Sequence, residues 1–172
     1  MIDVLALSLG YYHETPADEL FDPTLYDVLA DLSRNGTQVV CSAGNEATSR
    51  PAFPAAFAPW SDGNGPVTHD VDTLPVLSVG ALNPNGESDA LFSNAGPWVR
   101  AHTHGAAVVS TLPVDFEGGL QSAAATTAYG RRRDTIDPDD FRGGFAVWSG
   151  TSFAGPLMAG RIAAHIAGGL ED

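Results

Sequence analysis

Apolar side chains run almost unbroken from Val4 to Leu9 and stop at Gly10, as a strand covered on both faces requires. Asp22-Pro23 then offers a capping carboxylate and a proline suited to a first helical position. Leu25, Val28, Leu29 and Leu32 follow at helical spacing until Asn35-Gly36, which predicts a helix with a glycine stop. "TQVVCSAGN" predicts a second buried strand, so the chain opens as strand, helix, strand: a parallel, right-handed βαβ unit. "LPVLSVGAL", Leu74 to Leu82, predicts a third strand, and "AAVVSTLP", Ala106 to Pro113, a shorter one.

From residue 115 to 144 the apolar pattern is lost in a polar, Gly-rich stretch, which predicts a surface insertion. Arg131 to Arg133 face Asp134, Asp137, Asp139 and Asp140 nearby in sequence, so local charge pairing is expected there. "FAVWSG" returns as a strand. From Ser152 to Ala167 small and apolar residues fill nearly every position, with Met158, Ile162 and Ile166 four apart and Arg161 and His165 as the polar stripe. That predicts a mostly buried helix with Pro156 in its first turn, where amide hydrogens have no intrahelical partner. The pattern as a whole is α/β, a mostly parallel sheet with helices on both faces.

The 172 residues suffice for one domain with a core. The 8 basic residues, all Arg, against 21 acidic ones leave a net charge of −13. Such a field repels nucleic acid and anionic lipid, so neither is an expected partner. Cys41 is the only cysteine; it excludes an internal disulfide and a cysteine metal cluster, and its apolar surroundings predict a buried thiol. The start of the chain has no basic segment followed by a long apolar run, so no signal peptide is read, and localisation stays open.

Candidate chemistry sits in "VWSGTSFAGP", Val147 to Pro156. Ser152 falls where a strand gives way to a helix, as a cap or as a nucleophile. A nucleophile needs an oxyanion donor and a surface for the substrate. Asn45 in "SAGN" stands just past a parallel strand, on the sheet edge where α/β sites form, and its carboxamide can donate to an oxyanion. The α/β-hydrolase order fails, because acid and base would have to follow Ser152 and only 20 residues do.

"ALSLG", then "SAGN" at a strand end, then "SGTSFAGP" opening a helix roughly a hundred residues later resemble the subtilisin-like serine proteases. "AFPAAF", "LPVLSVGAL", "LFSNAGPWV" and "VVSTLP" extend the resemblance over almost the whole chain outside 115–144. It implies a serine endopeptidase, with Ser152 as nucleophile and the Asn45 side chain acting with the Ser152 N–H as oxyanion hole. Ser8, Leu9 and Gly10 match the edge that pairs with an extended substrate. Ser42, Ala43 and Gly44 match a wall of the pocket for the residue before the scissile bond, and Ala52 its floor. The resemblance also implies a cis Phe53-Pro54 bond, and Ser152 in the first turn of the last helix close to Asn45. No cofactor is expected beyond structural calcium, whose ligands the sequence does not place.

Family members carry Asp and His before the segment matching "ALSLG", and here only Met1 to Leu5 precede it. Residues 1–172 are therefore expected to be the C-terminal portion of a subtilase catalytic domain. It would be inactive alone, and would self-associate or take Asp and His from another chain or segment. His102 and His104 in "HTHG" fall where the family has a surface loop, and His13, His69 and His165 match no catalytic position. The other reading is a non-catalytic relic or peptide-binding module of the same fold.

Overall fold

The computed structural model describes residues 2–13, 23–69, 71–115, 125–134 and 144–168. Contacts divide the chain into two units, Met1–Ala107 with Ser149–Asp172, and Val108–Trp148.

In the larger unit, β1 (Val4–Leu7), α1 (Pro23–Arg34), β2 (Gln38–Ser42), β3 (Leu77–Leu82), β4 (Ala101–His104) and α2 (Thr151–Gly168) follow one another along the chain. The four strands form one parallel sheet in the order β1-β2-β3-β4, with Leu5 opposite Val39 and Cys41 opposite Ser78. The predicted βαβ unit is present as β1-α1-β2. Gly36 ends α1 with φ +87°, a left-handed position that suits glycine. Asp22 lies outside the described residues.

Alternation along β2 sorts the core onto two faces. Val39, Cys41 and Ala43 pack with Leu29 of α1, Phe53, Phe57 and Trp98, while Val40 on the other face packs with Val79, Ala81, Ala154 and Ala159 beside α2. Phe53, Phe57 and Trp98 are fully buried, each contributing on the order of 1.5–3 kcal/mol. Small residues let α2 lie close to the strands: a Cβ on Gly155 would come within 2.8 Å of Ser42 Oγ.

Several expectations are corrected. The fourth parallel strand is Ala101–His104, which sequence reading put in a surface loop. "AHTH" has no apolar run because β4 is a short edge strand that turns only Ala101, packed against the core, and Thr103 inward, the Thr103 hydroxyl accepting from Arg161 Nη1 at 3.1 Å. "AAVVSTLP" lies outside the parallel sheet. β1 is the other edge, and its residues are half-buried or, at Ala6, exposed, so it is not the fully covered strand its composition predicts. Val28 is 55% exposed, on the outer side of α1. Helix α2 is buried only over its first half, at Thr151, Ala154, Gly155 and Ala159; beyond it, Ala163, Ala164, Ile166 and Ala167 are exposed. Pro156 is the sixth residue of α2, one turn later than expected.

In the smaller unit, β5 (Val108–Thr111) pairs antiparallel with β8 (Phe145–Trp148), and β6 (Ala125–Ala128) with β7 (Arg131–Asp134). Tyr129 and Gly130 join β6 to β7, both with positive φ, as a tight two-residue hairpin turn demands. Arg131, Arg132 and Arg133 are exposed on β7. Their expected partners Asp137, Asp139 and Asp140 lie outside the described residues, as does the rest of 115–144 at 116–124 and 135–143.

Candidate functional site

The C-terminal ends of β1 and β2 and the start of α2 meet at one cavity of about 190 Å³, on the sheet edge where parallel α/β proteins place their sites. Ser8, Leu9 and Gly10 leave β1 along one side. Ser42, Gly44, Asn45 and Glu46 lie at the end of β2 on another, and Tyr12, Ala52, Thr151 and Ser152 complete the lining. Ala43, expected in the wall, instead turns into the core, its N–H donating to the Val79 carbonyl at 3.0 Å.

Thr151 holds these segments together. Its N–H donates to Asn45 Oδ1 at 2.8 Å, and its hydroxyl donates to the same oxygen at 3.0 Å while accepting from the Gly44 N–H at 3.0 Å. Its carbonyl accepts the Ser42 hydroxyl at 2.8 Å. With Oδ1 occupied twice, Asn45 is left with its Nδ2 hydrogens for a ligand. Ser152 is the second residue of α2 and half-buried. Its N–H is among the helix's first four, which the helix does not use and which favour negative charge. Next to Ser152, Pro156 cannot donate to the Ser152 carbonyl four residues back; the Ser8 hydroxyl donates to it instead, at 3.1 Å.

A second cluster borders the cavity. Glu46 Oε2 accepts from the Tyr12 hydroxyl at 2.5 Å, from the Asn45 N–H at 2.8 Å and from Asn94 Nδ2 at 3.0 Å. Burial by itself would raise the Glu46 carboxyl, but these hydrogen bonds outweigh it and hold the group below the ordinary glutamate range. Burial, then the bond to Glu46, push the Tyr12 phenol up. Asn94 is almost fully buried: Nδ2 also donates to the Ala43 carbonyl and Tyr12, and Oδ1 accepts from the N–H groups of Glu46 and Thr48. Gly44 sits against this amide with φ +103°, and a Cβ there would fall on Asn94 Nδ2.

Sequence reasoning missed Thr151, Tyr12, Glu46 and Asn94. Each adjoins or lies within a motif already noticed, so adjacency was the available signal. Phe53-Pro54 is cis, as expected, and Phe53 exchanges both backbone hydrogen bonds with Tyr11. The histidines are elsewhere. His102 and His104 lie on β4, at the opposite edge of the sheet from β1, and His13 packs edge-on to Phe53 with ring centres 4.9 Å apart. Among the described residues none is hydrogen-bonded to Ser152, and no group of three or more His, Cys, Asp or Glu is disposed to hold a metal ion.

Solved structures share this fold. The self-cleaved protease domain of PatA aligns with TM-score 0.58 at 21% identity, over 92% of this chain and 43% of that one. The prenylagaramide maturation protease PagA aligns with TM-score 0.57 at 20% identity, over 92% and 41%. A cold-adapted subtilisin-like serine proteinase aligns with TM-score 0.59 at 19% identity, over 95% and 41%. The chain thus spans about two fifths of the structures it matches, and the fold it shares with them is subtilisin-like α/β, in part. No curated protein sequence matches it. The subtilase (peptidase S8) family model matches residues 1–169, and the chain belongs to the subtilase family.

Proposed function

We propose that this chain carries the nucleophile, the oxyanion donors and the substrate groove of a serine endopeptidase. The observation that supports it most is the shared cavity of Ser152 and Asn45, with the Asn45 side-chain oxygen Oδ1 held by Thr151. In this reading Ser152 Oγ attacks the peptide carbonyl carbon as its proton passes to a base. The oxyanion takes hydrogen bonds from Asn45 Nδ2 and the Ser152 N–H. The C–N bond then breaks, the amine leaving with that proton, and water hydrolyses the ester. Ser8 to Gly10 are exposed beyond the open edge of β1 and would pair with the backbone of an extended segment, so the substrate class is unfolded or loop polypeptide.

Serine is a weak nucleophile without a base, and no described histidine contacts Ser152. The proposal therefore takes Asp and His from a segment outside these residues or from another chain, pairing along the open edge of β1, and holds residues 1–172 alone to be inactive. The missing base equally favours the second reading, a peptide-binding module without chemistry.

The test is to treat the purified chain with a fluorophosphonate probe and unfolded casein, alone and with any Asp- and His-bearing segment encoded in frame upstream of Met1. Labelling and turnover that need both the segment and Ser152 support the protease. Asn45→Ala should then lower kcat by about 10²–10³, the loss known for subtilisin, a member of the same family. No Ser152-dependent reaction in the assembled protein leaves the peptide-binding module. Efficient turnover by the lone chain would mean that one of its own histidines serves as base.

A further inference from the structure

The chain has no lysine and 8 arginines, and three of those stand side by side on β7, at Arg131, Arg132 and Arg133. We propose that the β6–β7 hairpin is a processing site: an arginine-directed endopeptidase cuts the chain at Arg131 to Arg133, between Asn45 and Ser152, and the two pieces stay together as one folded protein.

An endopeptidase binds its substrate as an extended segment, so β7 must part from β6 before it can be cut. Little opposes that. The two strands form a sheet of their own, and a lone two-stranded hairpin is marginally stable in water. Thr126, Thr127 and residues 129–133 are exposed and Ala128 is half-buried, so opening uncovers no core. The turn at Tyr129 and Gly130, both with positive φ, is an exposed tip of the kind that proteases nick first. In the cut, water adds its hydroxyl to the arginine carbonyl carbon, the C–N bond breaks, and the next residue leaves with a new amino group.

The other described arginines are protected by their backbone. The bond after Arg34 leads to Asn35, whose N–H donates to the Asp31 carbonyl at 3.3 Å at the end of α1. Arg50 precedes Pro51, so its bond is a tertiary amide with no N–H. The Arg100 N–H donates to the Ser78 carbonyl at 3.1 Å, just before β4 joins the parallel sheet, and Arg161 lies inside α2. Cutting at any of these requires opening of the larger unit, which costs more than opening the hairpin.

The contacts that join the two pieces lie away from the cut. In the smaller unit β5 and β8, one on each piece, pair with Val108 opposite Trp148 and Thr111 opposite Phe145. In the larger unit α2 packs on Val40, Val79 and Ala81, and the Thr151 N–H holds Asn45 Oδ1 at 2.8 Å. Processing therefore separates Ser152 from Asn45 along the chain while leaving them in one cavity, whatever that cavity does.

The experiment treats chain 1–172 briefly with a trace of trypsin, locates the first cut by mass spectrometry, and runs the product on gel filtration in native buffer and in urea. The expected first cut follows Arg131, Arg132 or Arg133, and the pieces elute together in native buffer and apart in urea. The triple variant Arg131→Gln, Arg132→Gln, Arg133→Gln, with an unchanged circular dichroism spectrum, loses that cut. A first cut after Arg34, Arg50, Arg100, Arg142 or Arg161, or no cut, overturns the assignment of the site. Pieces that part in native buffer overturn the two-piece protein. A cut that persists within 131–133 in the triple variant overturns the role of the arginines. Should that variant fail to fold, the position of the first cut in the unmodified chain decides.

Discussion

The Ser8 hydroxyl donates to the Ser152 carbonyl at 3.1 Å, the carbonyl that Pro156 leaves without an intrahelical donor. The end of β1 is thereby tied to the first turn of α2. Ser8→Ala should cost about 1 kcal/mol, the usual net worth of such a bond, measured by urea denaturation. In a Pro156→Ala background the helix supplies its own N–H, and the cost of Ser8→Ala should shrink. Equal costs in both backgrounds would show that the two residues are not coupled.

Asn94 bridges three segments while almost fully buried. Asn94→Ala strands the N–H groups of Glu46 and Thr48 and the Ala43 carbonyl, and should cost roughly 2–4 kcal/mol, above the norm for a single exposed hydrogen bond. Thermal unfolding checks it; a loss within the range of a surface substitution would contradict the bridging role.

Gly44 and Gly36 both have positive φ, but only Gly44 has a neighbour where a Cβ would go. Gly36→Ala should cost on the order of 1–2 kcal/mol from backbone conformation alone. Gly44→Ala should cost more, by roughly 1–3 kcal/mol of overpacking against Asn94. The difference in unfolding midpoint between the two variants isolates the second effect.

Burial pushes the Cys41 thiol up to about 12. A thiol-selective reagent at neutral pH should react with it only as fast as the chain unfolds. The raised value also fixes a sign. Its contribution is fully present below the unfolded thiol pKa and is lost as pH rises through the unfolded value toward the folded one. Alkaline destabilisation should therefore be milder in Cys41→Ala.

Much of the fold was legible because burial on both faces leaves a direct mark: the runs around Val39 and Val79 are apolar since both sides of those strands are covered. Ser152 and Asn45 could be paired from their motifs, and the chain does bring them to one cavity. Edges were less legible. β4 reads as a loop because this short edge strand turns only a small side chain, Ala101, and a polar one, Thr103, toward the core, and Thr103 is satisfied by a hydrogen bond. The far half of α2 reads as core because composition reports apolarity, not what lies beside it. Tyr12, Glu46 and Asn94 lie in or near noticed motifs, but their link was not legible: it is a hydrogen-bond network between positions as much as 82 apart, and no local period encodes it.

The bonds that shape the cavity join Ser8 to Ser152, 144 positions apart, and Ser42 to Thr151, 109 apart. None can form within a single helix or hairpin, so the cavity arises only when distant parts of the chain have already found each other. A molecule bound in it therefore holds the whole parallel sheet and α2 closed, and at a hundredfold excess over its Kd should stabilise the folded state by about 2.7 kcal/mol. Occupancy of this small space can thus be followed as a rise in the melting temperature of the entire larger unit, with no chemistry required.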